Sequence, residues 1–181
     1  MSQKVWLFIK DTVQVVFFAL ILTFILRSWV IEARQIPSGS MIPILQIGDR
    51  LLVDKIIYKI NDLHQRDIIV FAPPPEAQDG NIKNDFIKRI IGLPGDKIEV
   101  AGGKVLLNDK PLNEPYIAEA PNYTFGPVTV PEGDLFVMGD NRNNSYDGHS
   151  WGFLPMANVK GRAFFRFWPP SRMGLIEQNK G

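Results

Sequence analysis

The amino-acid sequence predicts a mainly β protein that is preceded by one N-terminal transmembrane helix. Two features of the 181-residue chain lead to this fold class. A long apolar run lies near the start of the chain. Beyond it, short runs rich in Val, Ile and Phe alternate with Gly, Pro, Asn and Asp, and no amphipathic pattern of helical length occurs. We therefore expect an anchor followed by a body of strands and turns.

The apolar run extends from Val13 to Ile31 and contains few polar residues, namely Gln14, Thr23, Arg27 and Ser28. A helix of this length spans close to the hydrocarbon core of a bilayer, about 30 Å. The apolar part of a cleavable signal peptide has a similar length. The residues after the run lack the paired small side chains of a cleavage site, so the sequence favours a retained anchor.

The positive charges around this run predict its orientation. Lys4 and Lys10 precede the run and Arg34 follows it, so the slight excess of positive charge places the N-terminus on the cytoplasmic side. We expect residues 1–31 to form a tail and a single transmembrane anchor in a bacterial plasma membrane. Residues 32–181 then form a β-rich domain on the extracytoplasmic face.

The body contains several candidate strands, which are Arg50–Asp54, Asp67–Phe71, Phe86–Ile91, Lys97–Val100, Lys104–Leu107, Leu135–Gly139 and Arg162–Phe167. Gly, Pro, Asn and Asp between them favour turns, because these residues adopt or stabilise turn conformations. Residues 100–131 contain five prolines and look more irregular. We expect this segment to be a small cap inserted into the sheet.

Composition excludes several classes of function. The chain has 20 Lys and Arg against 19 Asp and Glu, two His and no Cys. A nearly neutral chain lacks the basic field with which proteins hold nucleic acid. Without cysteine there is no thiolate nucleophile and no Cys-ligated metal site. We expect no nucleic acid, no metal and no cofactor.

Three segments carry candidate chemistry. In the first, Ser38 and Ser40 lie on a Gly- and Pro-constrained turn between Ile36 and Leu45, where a backbone N–H and a hydroxyl can point at a common oxygen. In the second, strand alternation does not tell whether Lys88 or Arg89 is buried. Only the lysine can act as a base, because burial lowers a lysine pKa whereas a guanidinium does not deprotonate in a protein.

The third segment is a polar loop, 139–152, that follows an apolar strand. Its Asp and Asn content suggests a calcium loop, but an EF-hand loop that begins at Asp140 needs glycine at its sixth position, where Ser145 stands. A hydrogen-bonded loop that braces a neighbouring site is the better interpretation.

These segments together resemble the sequence boxes of type I signal peptidases, also called leader peptidases. The matching stretches occur in the family's order, which is Ser38-Gly39-Ser40-Met41 with Pro43, Gly48-Asp49, Val53-Asp54-Lys55, Lys88-Arg89, Gly92-Leu93-Pro94-Gly95-Asp96, and Gly139-Asp140-Asn141-Arg142 with Asn144, Ser145 and Asp147. The resemblance runs from the anchor to Trp151. It implies a membrane-bound serine endopeptidase with a mostly antiparallel β fold and an inserted cap.

The resemblance also assigns roles to individual residues. Ser40 would be the nucleophile and Lys88 the neutral base that takes its proton. The oxyanion hole would consist of the Ser40 backbone N–H and the Ser38 hydroxyl. Ser145 would orient the lysine amine, and Asp147 would support it from the same loop. This Ser–Lys dyad agrees with the choice of Lys88 as the base that the residue chemistry favours.

The family's substrates are preproteins with N-terminal signal peptides, cut after small residues of the Ala-X-Ala type. By resemblance, Ile36 and Ile87 line the pockets for those residues, with Phe86 beside them. Exported preproteins and the lipid bilayer are the expected partners. One departure affects the support of the dyad, because Gly148-His149 replaces the usual Ser-Arg pair after Asp147. Asn143 and Ile44 also differ from the family pattern.

Three alternatives stay open at this point. His149 could form a Ser–His–Asp triad with Asp140 or Asp147 and with Ser150 or Ser40. The chain could instead be a specialised maturation peptidase of a conjugative transfer system, or an inactive membrane-tethered module that binds peptides. A further open question concerns an aromatic cluster, which faces either the membrane or the core and consists of Phe164, Phe165, Phe167 and Trp168.

Overall fold

The computed structural model describes residues 3–25, 30–56, 62–77 and 84–176. Its long helix, α1, extends from Gln3 to Ile25. Within it, Val5–Thr23 is long and apolar enough to cross a membrane, and none of that stretch is buried against the rest of the chain. The expected apolar N-terminal helix is therefore confirmed.

The bounds of this helix differ from the predicted span. It begins ten residues before Val13, because Lys10 and Asp11 lie within it and do not interrupt it. The predicted end at Ile31 is wrong, since Ile31 pairs with Asp54 as the first residue of a strand. Residues 26–29 lie outside the described part of the chain.

The described residues form twelve strands. In chain order they are β1 (Ile31–Gln35), β2 (Arg50–Asp54), β3 (Ile68–Phe71), β4 (Phe86–Gly92), β5 (Lys97–Ala101), β6 (Lys104–Leu107), β7 (Lys110–Pro111), β8 (Phe125–Thr129), β9 (Asp134–Met138), β10 (Leu154–Pro155), β11 (Val159–Trp168) and β12 (Gly174–Leu175). A one-turn helix, α2 (Gly148–Trp151), lies between β9 and β10.

These strands form two antiparallel sheets. The larger sheet has the order β1-β2-β11-β3-β4-β9-β10, with β12 added to β11. Two register shifts in the pairing of β11 with β2 bend the long strand, because a bulge increases local twist, and the sheet curls into a half-barrel. The smaller sheet has the order β7-β6-β5-β8. The prediction of a mostly antiparallel β fold is confirmed.

Packing joins the two sheets. One core cluster contains Ile91 and Phe136 from the larger sheet together with Ile98 and Val105 from the smaller one. The rings of Phe125 and Phe136 stack across this boundary with centroids 5.2 Å apart. A separate cluster around Met41, Leu45 and Val70 fills the inside of the curled sheet, and this cluster supports the loop that carries Ser40.

All seven predicted strands are present, with ends that shift by up to three residues. The sequence did not predict β1, because its charged residues are not typical of a buried strand. They are tolerated there because β1 is an edge strand and pairs with β2 only. The sequence also missed β8, since Pro127 argues against a strand interior. Proline is tolerated there because β8 is an edge strand of the smaller sheet.

The smaller sheet lies largely within residues 100–131, and its description as an inserted cap stays a prediction. The aromatic cluster divides between two environments. Phe164, Phe165 and Phe167 are half-buried, whereas half of the Trp168 side chain is exposed.

Candidate active site

Ser40 lies on a tightly held loop between β1 and β2. The loop closes at its base, because Ile36 N–H donates to Asp49 O and Gly48 N–H donates to Ile36 O, both at 2.9 Å. Met41 next to the serine is fully buried in the core of the curled sheet. The Ser40 hydroxyl is thus held on a fixed support, and only 7% of the residue is exposed.

Lys88 meets this serine from β4. Its Nζ donates a hydrogen bond to Ser40 Oγ at 2.7 Å, and the lysine is only 5% exposed. Burial lowers the pKa of Lys88 to about 8, although the charges of Asp147 and Asp140 act in the opposite direction. A lysine in this environment is substantially neutral at mildly alkaline pH and can accept a proton from the hydroxyl.

The neighbouring Arg89 is also buried, but it serves a different purpose. Its Nε and Nη2 donate to the two carboxylate oxygens of Asp140, each at 2.7 Å, and its Nη1 donates to Arg66 O at 2.9 Å. Strand alternation did not distinguish the two basic residues because both are buried. Their partners do distinguish them, since the arginine is fully engaged in an ion pair and the lysine points at a hydroxyl.

The loop after β9 braces the serine loop. Asn141 N–H donates to Ser40 O at 3.0 Å, and Asn141 Nδ2 donates to Gly39 O at 3.1 Å. Gly139 packs directly on this contact, because a Cβ atom at position 139 would lie 2.5 Å from Ser40 O and would also collide with Ser145 Oγ. This loop therefore fixes the backbone on which the serine hydroxyl sits.

Asp147 holds the same loop together from within. Its Oδ2 accepts a hydrogen bond from Gly139 N–H at 2.8 Å. Its Oδ1 lies 2.7 Å from His149 Nδ1 and also accepts from His149 N–H at 3.2 Å, which caps α2. His149 thus stands where the family's arginine is expected, and its ring stacks on Tyr123 with centroids 4.4 Å apart.

This geometry bears on the alternative triad. His149 contacts Asp147 through Nδ1 and lies 3.3 Å from Ser150 Oγ through Nε2. Ser150 is exposed on α2, and no described contact joins His149 to Ser40. The serine on the constrained loop is therefore paired with Lys88 and not with the histidine.

Two further predicted site residues lie nearby without the contacts that their roles would use. Ser38 Oγ lies 3.4 Å from Ser40 Oγ, so the two hydroxyls border one small space. Ser145 Oγ is buried and has no hydrogen-bond partner among the residues that the structure describes, and it makes no such bond with Lys88. Their roles in the oxyanion hole and in lysine orientation stay predictions.

An open cleft of about 400 Å³ leads to the serine and the lysine. Its walls include Ser38, Phe86, Ile87 and Tyr146. A second pocket of about 210 Å³ adjoins it and shares several of its residues. That pocket is lined by Arg34, Gln35, Ile36, Pro37, Val70, Asn84, Asp85, Phe86 and Ile87. Of the predicted pocket residues, Phe86 and Ile87 border both cavities, whereas Ile36 borders the second only.

Sequence reasoning missed several residues of this region. Asn141 belongs to a motif that predicts no role for it, and the sequence indicates Arg34 only as a flanking charge of the anchor. No motif includes Glu114, whose carboxylate accepts hydrogen bonds from Arg142 Nη1 at 2.9 Å and from Arg142 Nη2 at 2.5 Å. No local signal could have found this pair, because 28 residues separate its members and only the fold brings them together.

Comparisons with known proteins extend over most of the chain. A family model described as "Signal peptidase, peptidase S26" matches residues 9–168. A probable signal peptidase I-2 of Synechocystis sp. is 52% identical over 158 residues, which cover 87% of this chain and 72% of that protein. Signal peptidase I of Leptolyngbya laminosa is 46% identical over 170 residues, which cover 93% of this chain and 84% of that protein. A probable chloroplastic thylakoidal processing peptidase 2 of Arabidopsis thaliana is 42% identical over 169 residues, 92% and 46% of the two chains.

Proposed function

Because the chain belongs to the signal peptidase family, peptidase S26, we propose that Ser40 and Lys88 are the catalytic pair with which it cleaves signal peptides. The resemblance that the sequence motifs indicated is confirmed. The protein is a serine endopeptidase that acts as signal peptidase I on preproteins with N-terminal signal peptides. The observation that carries the assignment of the pair is the 2.7 Å contact between Lys88 Nζ and Ser40 Oγ.

The mechanism begins with proton transfer within the catalytic pair. Neutral Lys88 accepts the hydroxyl proton as Ser40 Oγ attacks the carbonyl carbon of the scissile bond. The resulting ammonium then gives that proton to the departing amine, and an acyl-enzyme remains on the serine. In the second half, Lys88 takes a proton from the water that attacks the ester carbon. The C–Oγ bond then breaks, Lys88 returns the proton to Ser40 Oγ, and the signal peptide leaves as the free acid. The pKa of about 8 suits both directions of transfer.

The oxyanion of each tetrahedral intermediate needs donors that are already in place. The Ser40 backbone N–H and the Ser38 hydroxyl serve as these donors, and the 3.4 Å between the two serine hydroxyls supports this assignment. Loss of one such donor typically costs about 3–4 kcal/mol of transition-state stabilisation. Ser145 steadies the lysine amine during transfer, and its buried Oγ is available for this because it has no hydrogen-bond partner among the described residues.

The substrate binds as an extended strand between two open strand edges. β1 is the last strand of its sheet, and residues 86–88 of β4 pair with β3 only, because pairing of β4 with β9 begins at Arg89. Main-chain hydrogen bonds to these edges supply affinity, and pockets at alternate side chains supply specificity. The residue just before the cut enters the larger cleft, and the third residue before the cut enters the second pocket.

The catalytic pair is tested by cleavage of a preprotein with an Ala-X-Ala site by the detergent-solubilised full chain. Ser40→Ala and Lys88→Met should each lower kcat/KM by at least about 10³-fold, because the two residues act as a unit. Ser150→Ala is the matched serine control and should cleave normally. Full activity of Lys88→Met, together with inactivity of His149→Ala or Ser150→Ala, would overturn the assignment in favour of the triad.

In the cell, the protein spans the plasma membrane once, with a cytoplasmic N-terminus and the catalytic body on the extracytoplasmic face. The apolar surface of α1 and the basic residues near the N-terminus support this topology. Exposed Trp168, Met173 and Leu175 around the β11–β12 pair offer apolar surface for contact with lipid.

The topology is tested with spheroplasts of a producing bacterium. Added protease should digest the body and leave α1 in the membrane fraction, and carbonate extraction should not release the intact protein. A body that resists protease until the membrane is lysed would reverse the orientation.

A further inference from the structure

A chain of alternating charges crosses one end of the second pocket. Arg34 Nη2 lies 2.8 Å from Asp85 Oδ2 and 2.7 Å from Glu32 Oε1. The other carboxylate oxygen of Asp85 receives Lys160 Nζ at 2.6 Å. Glu32 and Arg34 belong to β1, Asp85 directly precedes β4, and Lys160 belongs to β11. The Arg34–Asp85 ion pair therefore bridges the two strands between which the substrate is proposed to bind.

The position of this ion pair follows from strand alternation. Arg34 lies two residues before Ile36, and Asp85 lies two residues before Ile87, so each charged side chain continues the face that carries a pocket isoleucine. The two isoleucines and Val70 give the pocket a buried aliphatic floor. Along both strands, falling residue numbers lead away from the catalytic pair. The ion pair consequently closes the end of the pocket that is farther from the reaction.

The ion pair lines the pocket but is weak in energy. The side chain of Arg34 is 34% exposed and that of Asp85 is 13% exposed. Ion pairs with this much solvent contact contribute about 0–1 kcal/mol to stability. The stability of the fold therefore does not depend on this ion pair. The space that is available to a side chain in the pocket of about 210 Å³ does depend on it.

We propose that the Arg34–Asp85 ion pair is a specificity-determining element that limits the second pocket to small aliphatic side chains of the substrate. This inference rests on the proposed function, because it assigns the pocket to the third residue before the cut. A longer side chain at that position must separate the guanidinium from the carboxylate, whereas alanine fits above the isoleucine floor and leaves them paired.

The experiment compares peptide substrates that carry Ala, Leu or Phe at the third position before the cut, with the detergent-solubilised full chain. The measured quantity is the ratio of kcat/KM for Leu or Phe to kcat/KM for Ala. Arg34→Ala and Asp85→Ala should each raise this ratio at least about tenfold, because each opens the pocket by several heavy atoms. The charge-swapped double variant, Arg34→Asp with Asp85→Arg, should return the ratio toward that of the wild type.

The matched control is Lys160→Ala. Lys160 also pairs with Asp85 but is not among the described residues that line the pocket, so its loss should leave the ratio unchanged. An unchanged ratio in both Arg34→Ala and Asp85→Ala, with circular dichroism that shows folded protein, would refute the inference. If one variant does not fold, the other decides the question. If the wild type cleaves none of the peptides, then the proposed function itself fails.

Discussion

Opposing electrostatic influences act on the pKa of Lys88, and together they set the working pH of the proposed catalytic pair. Burial is the largest and lowers its pKa from 10.5 to about 8, while the negative charges of Asp147 and Asp140 partly oppose it. The base form is the neutral amine, so kcat/KM should rise as the pH passes through about 8. Any change that removes a neighbouring negative charge should shift this rise to lower pH.

Asp147→Asn tests this electrostatic balance. Removal of the carboxylate charge takes away an interaction that favours the ammonium form, so the pKa of Lys88 falls further. The acidic limb of the pH profile of kcat/KM should move to lower pH. Asp109→Asn is the control, because Asp109 lies at the surface and pairs with Lys97. A shift of the acidic limb to higher pH in Asp147→Asn would contradict this effect of the Asp147 charge on Lys88.

His149 contacts Asp147 at the position where the family motif has an arginine. A pair of variants tests whether the histidine replaces the contact of that arginine. His149→Ala removes the 2.7 Å contact with Asp147 and should lower the free energy of unfolding by about 1.5–3 kcal/mol, a usual value for a hydrogen bond to a charged group. His149→Arg should restore much of that loss, since a guanidinium can pair with the same carboxylate. Denaturant unfolding gives both values.

Cleavage by the same variants separates support from catalysis. His149→Ala should keep kcat/KM within about tenfold of the wild type, because the histidine does not touch Ser40. A loss of about 10³-fold or more, unrescued by His149→Arg, would mean that the imidazole takes part in the chemistry.

At the level of single residues, the sequence predicts which side chains are candidates for the reaction, but it does not predict which residues surround them. The sequence indicates Ser40 and Lys88 because they stand at the serine and the lysine of the family motif, and because Lys88 can lose its proton whereas the neighbouring Arg89 cannot. Arg34 and Asp85 could not be picked, because their meaning arises from a contact between strands that are far apart in the chain.

Among the elements, the junction of β9 with its following loop controls the position of the nucleophile. Gly139 directly follows β9, where the backbone passes against Ser40 O, and Asn141 N–H of the same loop donates a hydrogen bond to that carbonyl oxygen. A side chain at position 139 has no space, because its Cβ atom would collide with the Ser145 side chain and would lie 2.5 Å from the backbone oxygen of Ser40.

Gly139→Ala should therefore lower kcat/KM more than the addition of a single methyl group would suggest. The added methyl group must displace the serine loop, and a shift of about 1 Å in a catalytic group costs on the order of 10²-fold in rate. Gly174→Ala is the control, since a Cβ atom there has no neighbour within 4 Å. Steady-state kcat/KM checks both variants, and a normal rate for Gly139→Ala would show that the loop yields easily.

The position of a strand in its sheet explains which strands the sequence could predict. Strands at the centre of the larger sheet bury both faces. β3 is a continuous run of Ile, Val and Phe, whereas the buried Lys88-Arg89 pair interrupts the apolar run of β4. β1 and β8 are edge strands, where polar residues and proline are tolerated, so their composition does not indicate a strand. The end of α1 was also unpredictable from hydropathy, because Ile31 is as apolar in a strand as in a helix.

Across the whole molecule, a buried cluster of charges connects the two sheets. Arg142, from the loop after β9, is fully buried against Glu114, from the segment between β7 and β8. Tyr116 lies beside it, donates to Glu114 Oε1 at 2.9 Å and has the Arg89 guanidinium 4.1 Å above its ring. The catalytic loop and the smaller sheet are thereby tied through polar contacts as well as through the apolar core.

Arg142→Met should leave the Glu114 carboxylate buried without its partner. The expected loss in the free energy of unfolding is about 3–5 kcal/mol, which is typical when one member of a buried ion pair is removed. Adding Glu114→Gln should recover at least half of the loss, because the remaining charge is then gone. Urea unfolding of the detergent-solubilised full chain measures each variant. Equal stability of the single and double variants would show that the pair is not coupled.

The short connection between α1 and β1 limits how far the β body can lie from the helix. Six residue steps separate Ile25 from Ile31, so even a fully extended chain spans only about 20 Å between the end of the helix and one wall of the substrate groove. With α1 in the membrane as proposed, the substrate groove would therefore lie close to the bilayer surface, and a preprotein held in the same membrane would meet it at a higher effective concentration than in bulk solution.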